Sequence, residues 1–129
     1  MGLTVSESPH SVAATIDRLV ASLERRGITV FARVDHGGGA HSVGLDLADE
    51  EVLIFGDPRA GTLLMQGNPE IGYELPLRVL AWDVDGRTHV GHRPSAELAA
   101  DYPGAGGPEI LARMDGLLSD LVRESTATD

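Results

Sequence analysis

A chain of 129 residues supplies one hydrophobic core, burying roughly two thirds of its unfolded surface, and is too short for two. Cysteine is absent, which removes disulfides, thiolate metal ligands and a cysteine nucleophile, and leaves a reducing cytoplasm as the default compartment. The net charge is −10 and every cation is an arginine, so neither nucleic acid nor an anionic membrane surface is an expected partner.

The longest apolar runs, such as Val52-Leu53-Ile54-Phe55, fall far short of the roughly 20 residues a bilayer span requires, and no basic-then-apolar leader opens the chain. A cytoplasmic protein is expected. Arginine as the sole cation, beside abundant Ala and Gly, has the look of GC-rich bacterial coding. Phe31, Phe55, Tyr73, Trp82 and Tyr102 are the only aromatics, so the core must be built from aliphatic side chains.

In chain order, residues 3–6 suit an edge strand. Ser8-Pro9 then reads as an N-cap with proline at the first helical position, opening a helix to Arg26 that Gly27 stops. Val12, Ile16, Leu19, Val20 and Leu23 fall on one arc of it, opposite Asp17, Arg18, Glu24 and Arg25. The alternating, β-branched stretch 28–34 is an expected strand that delivers Asp35 and His36 at its end, where Gly37-Gly38-Gly39 breaks it. Residues 40–47 fit either a short helix or a strand. A buried strand over 51–55 closes at Gly56. Asp57-Pro58 repeats the cap-plus-proline signature for a helix through Met65, ended by Gly67, and Asn68-Pro69 caps one more turn.

Asp85-Gly86 is a strong two-residue hairpin signal between 75–84 and 87–92. Counting outward from it pairs Val84 with Arg87, Trp82 with His89, Ala81 with Val90 and Val79 with His92. Val79, Ala81, Val90 and His92 then share the core face, and Trp82, Arg87 and His89 the other. A short helix runs from Ser95 to Tyr102, followed by a Gly/Pro loop over 103–107. The last helix carries Ile110, Leu111, Met114, Leu117, Leu118, Leu121 and Val122 on one arc. Residues 1–124 form one domain in this reading, with 125–129 a frayed tail.

Val34-Asp35-His36, Ala40, Gly44-Leu45, Phe55-Gly56-Asp57-Pro58, Gly61-Thr62, Pro69 and Leu75-Pro76-Leu77, taken in that order, resemble the bacterial and archaeal family called domain of unknown function 302. The resemblance covers almost the whole chain. It implies an α+β fold, an antiparallel sheet with helices packed on one face in a TATA-binding-protein-like or helix-grip arrangement, and a homodimer; it implies no established activity. Asp57 stands where the family commonly has Asn, and His92 where it commonly has an aromatic residue.

Asp35 and His36 are neighbours on a strand end, so their side chains point to opposite faces and cannot act on one another as a catalytic pair. Asp35 is expected to cap the turn after it. His36-Gly37-Gly38-Gly39 and Ala40-His41-Ser42-Val43-Gly44 mimic an esterase oxyanion loop and nucleophile elbow, but the two are contiguous in a chain too short for that fold, so Ser42 is not expected to be a nucleophile. Asp35, His36 and His41 have undistinguished spacing, and His89 and His92 face opposite ways, so neither a metal nor another cofactor is expected. Asp57 at the cap of its helix occupies the backbone donors and repels anions, so a ligand there should be neutral or cationic. Pro76 should mark an edge or bulge.

These residues point to a homodimer that binds a small molecule between the sheet and its helices, with Asp35, His36, Asp57 and His92 as ligand contacts and Trp82 and His89 at the dimer interface. Two alternatives stand beside it. One is an enzyme using His36 or His92 as a general base, and the other is a module that pairs with another protein through the Trp82 face.

Overall fold

In a computed structural model, which describes residues 2–129, period-two alternation and period-3.6 arcs sort the chain into five strands and five α-helices. The order is β1 (Thr4–Ser8), α1 (Val12–Arg25), β2 (Thr29–Asp35), α2 (His36–Ser42), β3 (Glu50–Gly56), α3 (Pro58–Gly67), a 3₁₀ stretch (Pro69–Glu74), β4 (Leu77–Val84) and β5 (Arg87–His92). A 3₁₀ turn (Ser95–Glu97) then leads into α4 (Leu98–Asp101), and α5 (Pro108–Ser125) closes the fold. The strands form one sheet in the order β1-β5-β4-β3-β2, antiparallel at every pairing.

The hairpin sets the register. Asp85 and Gly86 take φ of 53° and 80°, as a two-residue turn with matching twist requires, and Asp83 Oδ1 accepts the Gly86 N–H at 2.8 Å. The pairs are those counted from the turn: Trp82 with His89, Ala81 with Val90 and Val84 with Arg87. Leu53, Phe55, Val79, Ala81 and Val90 face the helices and are fully buried. Ile16, Leu19 and Leu23 of α1 and Leu111, Leu118 and Leu121 of α5 roof them. Each such leucine stabilises the fold by about 1.5–3 kcal/mol relative to exposure.

Four local expectations change. Helix α1 starts at Val12 because Ser11, not Ser8, caps it, its Oγ accepting the Ala14 N–H at 3.1 Å. Ser8 instead ends β1 opposite Thr88, with its hydroxyl 2.7 Å from Thr15 Oγ1. The glycines after His36 do not end order but form α2, with Asp35 Oδ1 accepting the Gly38 N–H at 2.8 Å. Strand β2 is irregular between Val30 and Ala32, so Phe31 bulges out and is 54% exposed.

The chain end, expected to fray, is tied to α1. Arg18 donates through Nε to the Ser125 carbonyl (3.1 Å), through Nη2 to the Ala127 carbonyl (3.0 Å) and through Nη1 to Asp129 Oδ1 (2.8 Å). His10 Nε2 lies 2.7 Å from the Ala127 carbonyl. A cation at the C-terminus of α5 meets the helix carbonyls that have no partner within the helix, which gives the contact its physical basis.

Candidate functional site

Helix α3 opens at the end of β3. Asp57 sits in the extended region as its N-cap, with Oδ1 accepting the Arg59 N–H at 3.0 Å, and Pro58 takes the first helical turn. Leu64 is the fully buried side chain of α3, and one turn before it, facing the space beside β4, the helix carries only Ala60 and Gly61. A Cβ built on Gly61 would come no closer than 3.6 Å to Leu75 Cδ1 and 3.7 Å to Met65 Cε, so space is left where a larger residue would have filled it. The result is a cavity of about 290 Å³ between α3, α5 and the end of the sheet.

Its inner surface comes from Leu77 of β4 and from Met114 and Leu117 of α5, with Leu75 beside them. Phe31, Asp57, Thr62, Met65 and Pro76 are exposed and form the rim. Pro76 lies just ahead of β4, with the Leu75–Pro76 peptide in the cis form. Among the described residues Asp57 is the only ionisable one that lines the cavity. Methionines on two sides give it adaptable walls, because an unbranched thioether can repack around different shapes.

Of the residues expected to contact a ligand, Asp57 lines this cavity and Asp35, His36 and His92 do not. Thr29, at the other end of β2, pairs with Gly56 at the cavity, which puts Asp35 six residues and about 20 Å away along the strand. His36 is exposed there at the start of α2. His92 lies on β5, three strand spacings or about 14 Å across the sheet from β2, so it shares no site with His36. It is buried on the helix side, with Nδ1 3.3 Å from the Arg93 carbonyl. Among the described residues neither histidine is hydrogen-bonded to a carboxylate. The structure therefore does not bring Asp35, His36 and His92 together, and the cavity lies at the opposite end of β2 from Asp35.

Ser42 Oγ donates to the Gly39 carbonyl at 2.7 Å inside α2, and His41 is exposed. Among the described residues no group of three or more His, Asp or Glu side chains is placed to hold a metal ion. Trp82 and His89 stack on the sheet face away from the helices, with ring centroids 5.6 Å apart and planes at 20°. Gly91 lets Trp82 lie flat across β5, since a Cβ there would sit 3.0 Å from the indole ring. Trp82 is therefore half-buried, and the exposed apolar side chains on that face are Leu3, Val5, Val34 and Val84, each 39–49% exposed, with Phe31 at its margin and Glu7, Arg78 and Arg87 exposed among them.

Apart from Asp57 at the rim, sequence reasoning missed the cavity's lining, which residues distant in the chain assemble. The one local signal was Gly61 in the interior of α3, since a helix-interior glycine costs stability and commonly has a packing reason. It also missed the ion cluster in which Arg93 bonds Glu74 and Asp101 and the Tyr102 hydroxyl donates to Glu74 Oε2 at 3.0 Å. Partial burial, and then that carboxylate, hold the Tyr102 phenol above its ordinary pKa.

An antiparallel sheet with helices packed on one face defines an α+β fold, here with an apolar cavity at one end. The model of the family described as Domain of unknown function DUF302 matches residues 4–121, and the chain belongs to that family. A crystal structure of an uncharacterized conserved DUF302 protein from Bacillus stearothermophilus has the same fold, with a TM-score of 0.83 at 22% identity over 97% of this chain and 98% of that one.

The chain is also 52% identical over 82 residues to the fluoride-specific ion channel FluC 1 of Brucella suis biovar 1 (strain 1330). It matches the fluoride-specific ion channel FluC 1 of Brucella abortus biovar 1 (strain 9-941) equally well. The matched stretch is 64% of this chain but 32% and 30% of the two channels, so the chain spans about a third of the length of the curated relatives it matches. Among the described residues no helix is long and apolar enough to cross a membrane.

Proposed function

We propose that the chain is a small-molecule-binding module whose ligand occupies the cavity between α3, α5 and the end of the sheet. One observation carries the reading: a space of about 290 Å³, walled by aliphatic and thioether side chains with a few polar groups at its rim, in a domain of this size. Binding sites have this composition, because apolar walls supply affinity and a few polar groups supply orientation. Catalysis needs a second group beside any base, and the cavity rim offers one carboxylate alone. Native mass spectrometry of freshly purified protein tests the reading. The expected result is a retained small molecule released on denaturation, or its uptake from an added apolar library, while a bare mass that takes up none of the library contradicts it.

A second reading rests on the apolar sheet face and on the kinship with channels. Leu3, Val5, Val34 and Val84 are exposed there beside half-buried Val52, Ile54, Leu80 and Trp82, an apolar surface with Glu50 and Arg78 among it, of the kind that marks an interface. In this reading a second copy covers the face, with Trp82 and His89 at its centre, and the dimer acts beside a fluoride channel. What supports the channel as partner is that the matched stretch lies within proteins named as such, in a part we read as standing outside the membrane. Fluoride efflux from proteoliposomes holding a Brucella channel that lacks its matched stretch should change on adding this chain. No change, with the chain bound or unbound, removes the partnership.

A further inference from the structure

The cavity's ligand class follows from what surrounds its rim, and this step rests on the cavity being a binding site. The geometry points to an apolar amine: a slender hydrocarbon or aryl body of about a dozen non-hydrogen atoms carrying one cationic head that sits against Asp57. Size sets the body, since about 290 Å³ is roughly twice the ~150 Å³ apolar cavity that admits benzene. Leu75, Leu77, Met114 and Leu117 offer that body no hydrogen bond, so every polar group of the ligand must lie at the rim.

The rim discriminates by charge. A helix start ordinarily favours anions, but at α3 three of the first four backbone positions offer no free donor. Pro58 has no N–H. The Arg59 N–H is held by Asp57 Oδ1 at 3.0 Å, and the Gly61 N–H is held by the Asp57 carbonyl at 3.3 Å. What the rim presents is therefore the Asp57 carboxylate, with Thr62 as a neutral neighbour and no arginine among the lining residues. The net charge of −10 adds a long-range field of the same sign, which draws cations and turns anions away.

Three naphthalenes of one shape test this by their own fluorescence: 1-naphthylmethylamine, 1-naphthylmethanol and 1-naphthoate, titrated into the full chain and into Asp57→Asn. Asparagine caps a helix as well as aspartate, so the variant keeps α3 while losing the charge. The amine should bind roughly tenfold more tightly than the alcohol at low salt, an advantage that shrinks as salt screens the pair, with naphthoate weakest. In Asp57→Asn the amine should fall to the affinity of the alcohol, and the alcohol should be unchanged. Equal affinities for amine and alcohol in the wild type, or an amine preference that survives Asp57→Asn, would overturn the ligand class and leave the cavity as a site. Failure of all three to bind overturns the ligand class and the binding reading together.

Discussion

Glu124 fastens α5 to α1 by accepting from the Ser22 hydroxyl and from Arg26 Nη2 at 2.5 Å, with Arg25 Nη2 3.7 Å from it. The Ser22 hydrogen bond first, and the Arg26 hydrogen bond second, hold its carboxyl below the usual glutamate range. A carboxylate depressed in the folded state binds fewer protons there than in the unfolded chain. Its stabilisation is thus complete above the unfolded value and is lost as pH falls through the folded one. Urea unfolding at neutral pH and at about pH 3 should show a smaller acid loss for Glu124→Gln than for the wild type. Equal losses would mean the contact contributes nothing. Asp57 makes a second case at this scale: Asp57→Ala should cost about 1 kcal/mol through loss of the cap, and Asp57→Asn only a few tenths.

Among elements, α3 carries two glycines with opposite expectations. Gly67 ends the helix against the 103–107 loop so closely that a Cβ would lie 2.0 Å from the Gly104 carbonyl and 2.7 Å from the Gly106 nitrogen. Both neighbours are backbone and cannot swing aside. Gly67→Ala should therefore destabilise by about 2 kcal/mol or more, and should also release Asn68 Nδ2 from the Pro103 carbonyl. Gly61, by contrast, has ordinary contact room, so Gly61→Ala should stabilise by about 0.5–1 kcal/mol through helix propensity. Denaturation midpoints for the two variants should move in opposite directions, and a common direction would refute the packing described for α3.

How far such elements could be read in advance depended on whether local chemistry had a tertiary competitor. Asp57-Pro58 faced none, and its cap and helix are where the sequence puts them. Ser8-Pro9 carried the same signature, but pairing of Ser8 with Thr88 extends β1 and hands the cap to Ser11. The three glycines of α2 argue against helix by about 1 kcal/mol each. Asp35 caps them nonetheless, its Oδ1 accepting the Gly38 N–H, and Gly37 is buried against the Ala48–Glu50 backbone, a packing that no local pattern announces.

Over the whole molecule, the hairpin register and the sidedness of the sheet were legible because a two-residue turn fixes every pair beyond it. The cavity was not. It exists where α3, the segment before β4 and α5 meet, and its polar rim is Asp57 rather than the Asp35-His36 island, which β2 carries to the far end of the sheet. The apolar face opposite the helices belongs to this scale too. Analytical ultracentrifugation at micromolar concentration should find a dimer that Trp82→Ala weakens, and a monomer for both proteins would remove the homodimer.

The most direct test of the account is whether the space beside Gly61 takes up a ligand. Calorimetric titration with 1-naphthylmethanol should give saturable binding to the wild type with one molecule per chain. Gly61→Leu, whose side chain fills that space, should stay folded by circular dichroism and give no binding heat. Equal binding by both proteins would place the ligand elsewhere and contradict the assignment of the cavity as the site.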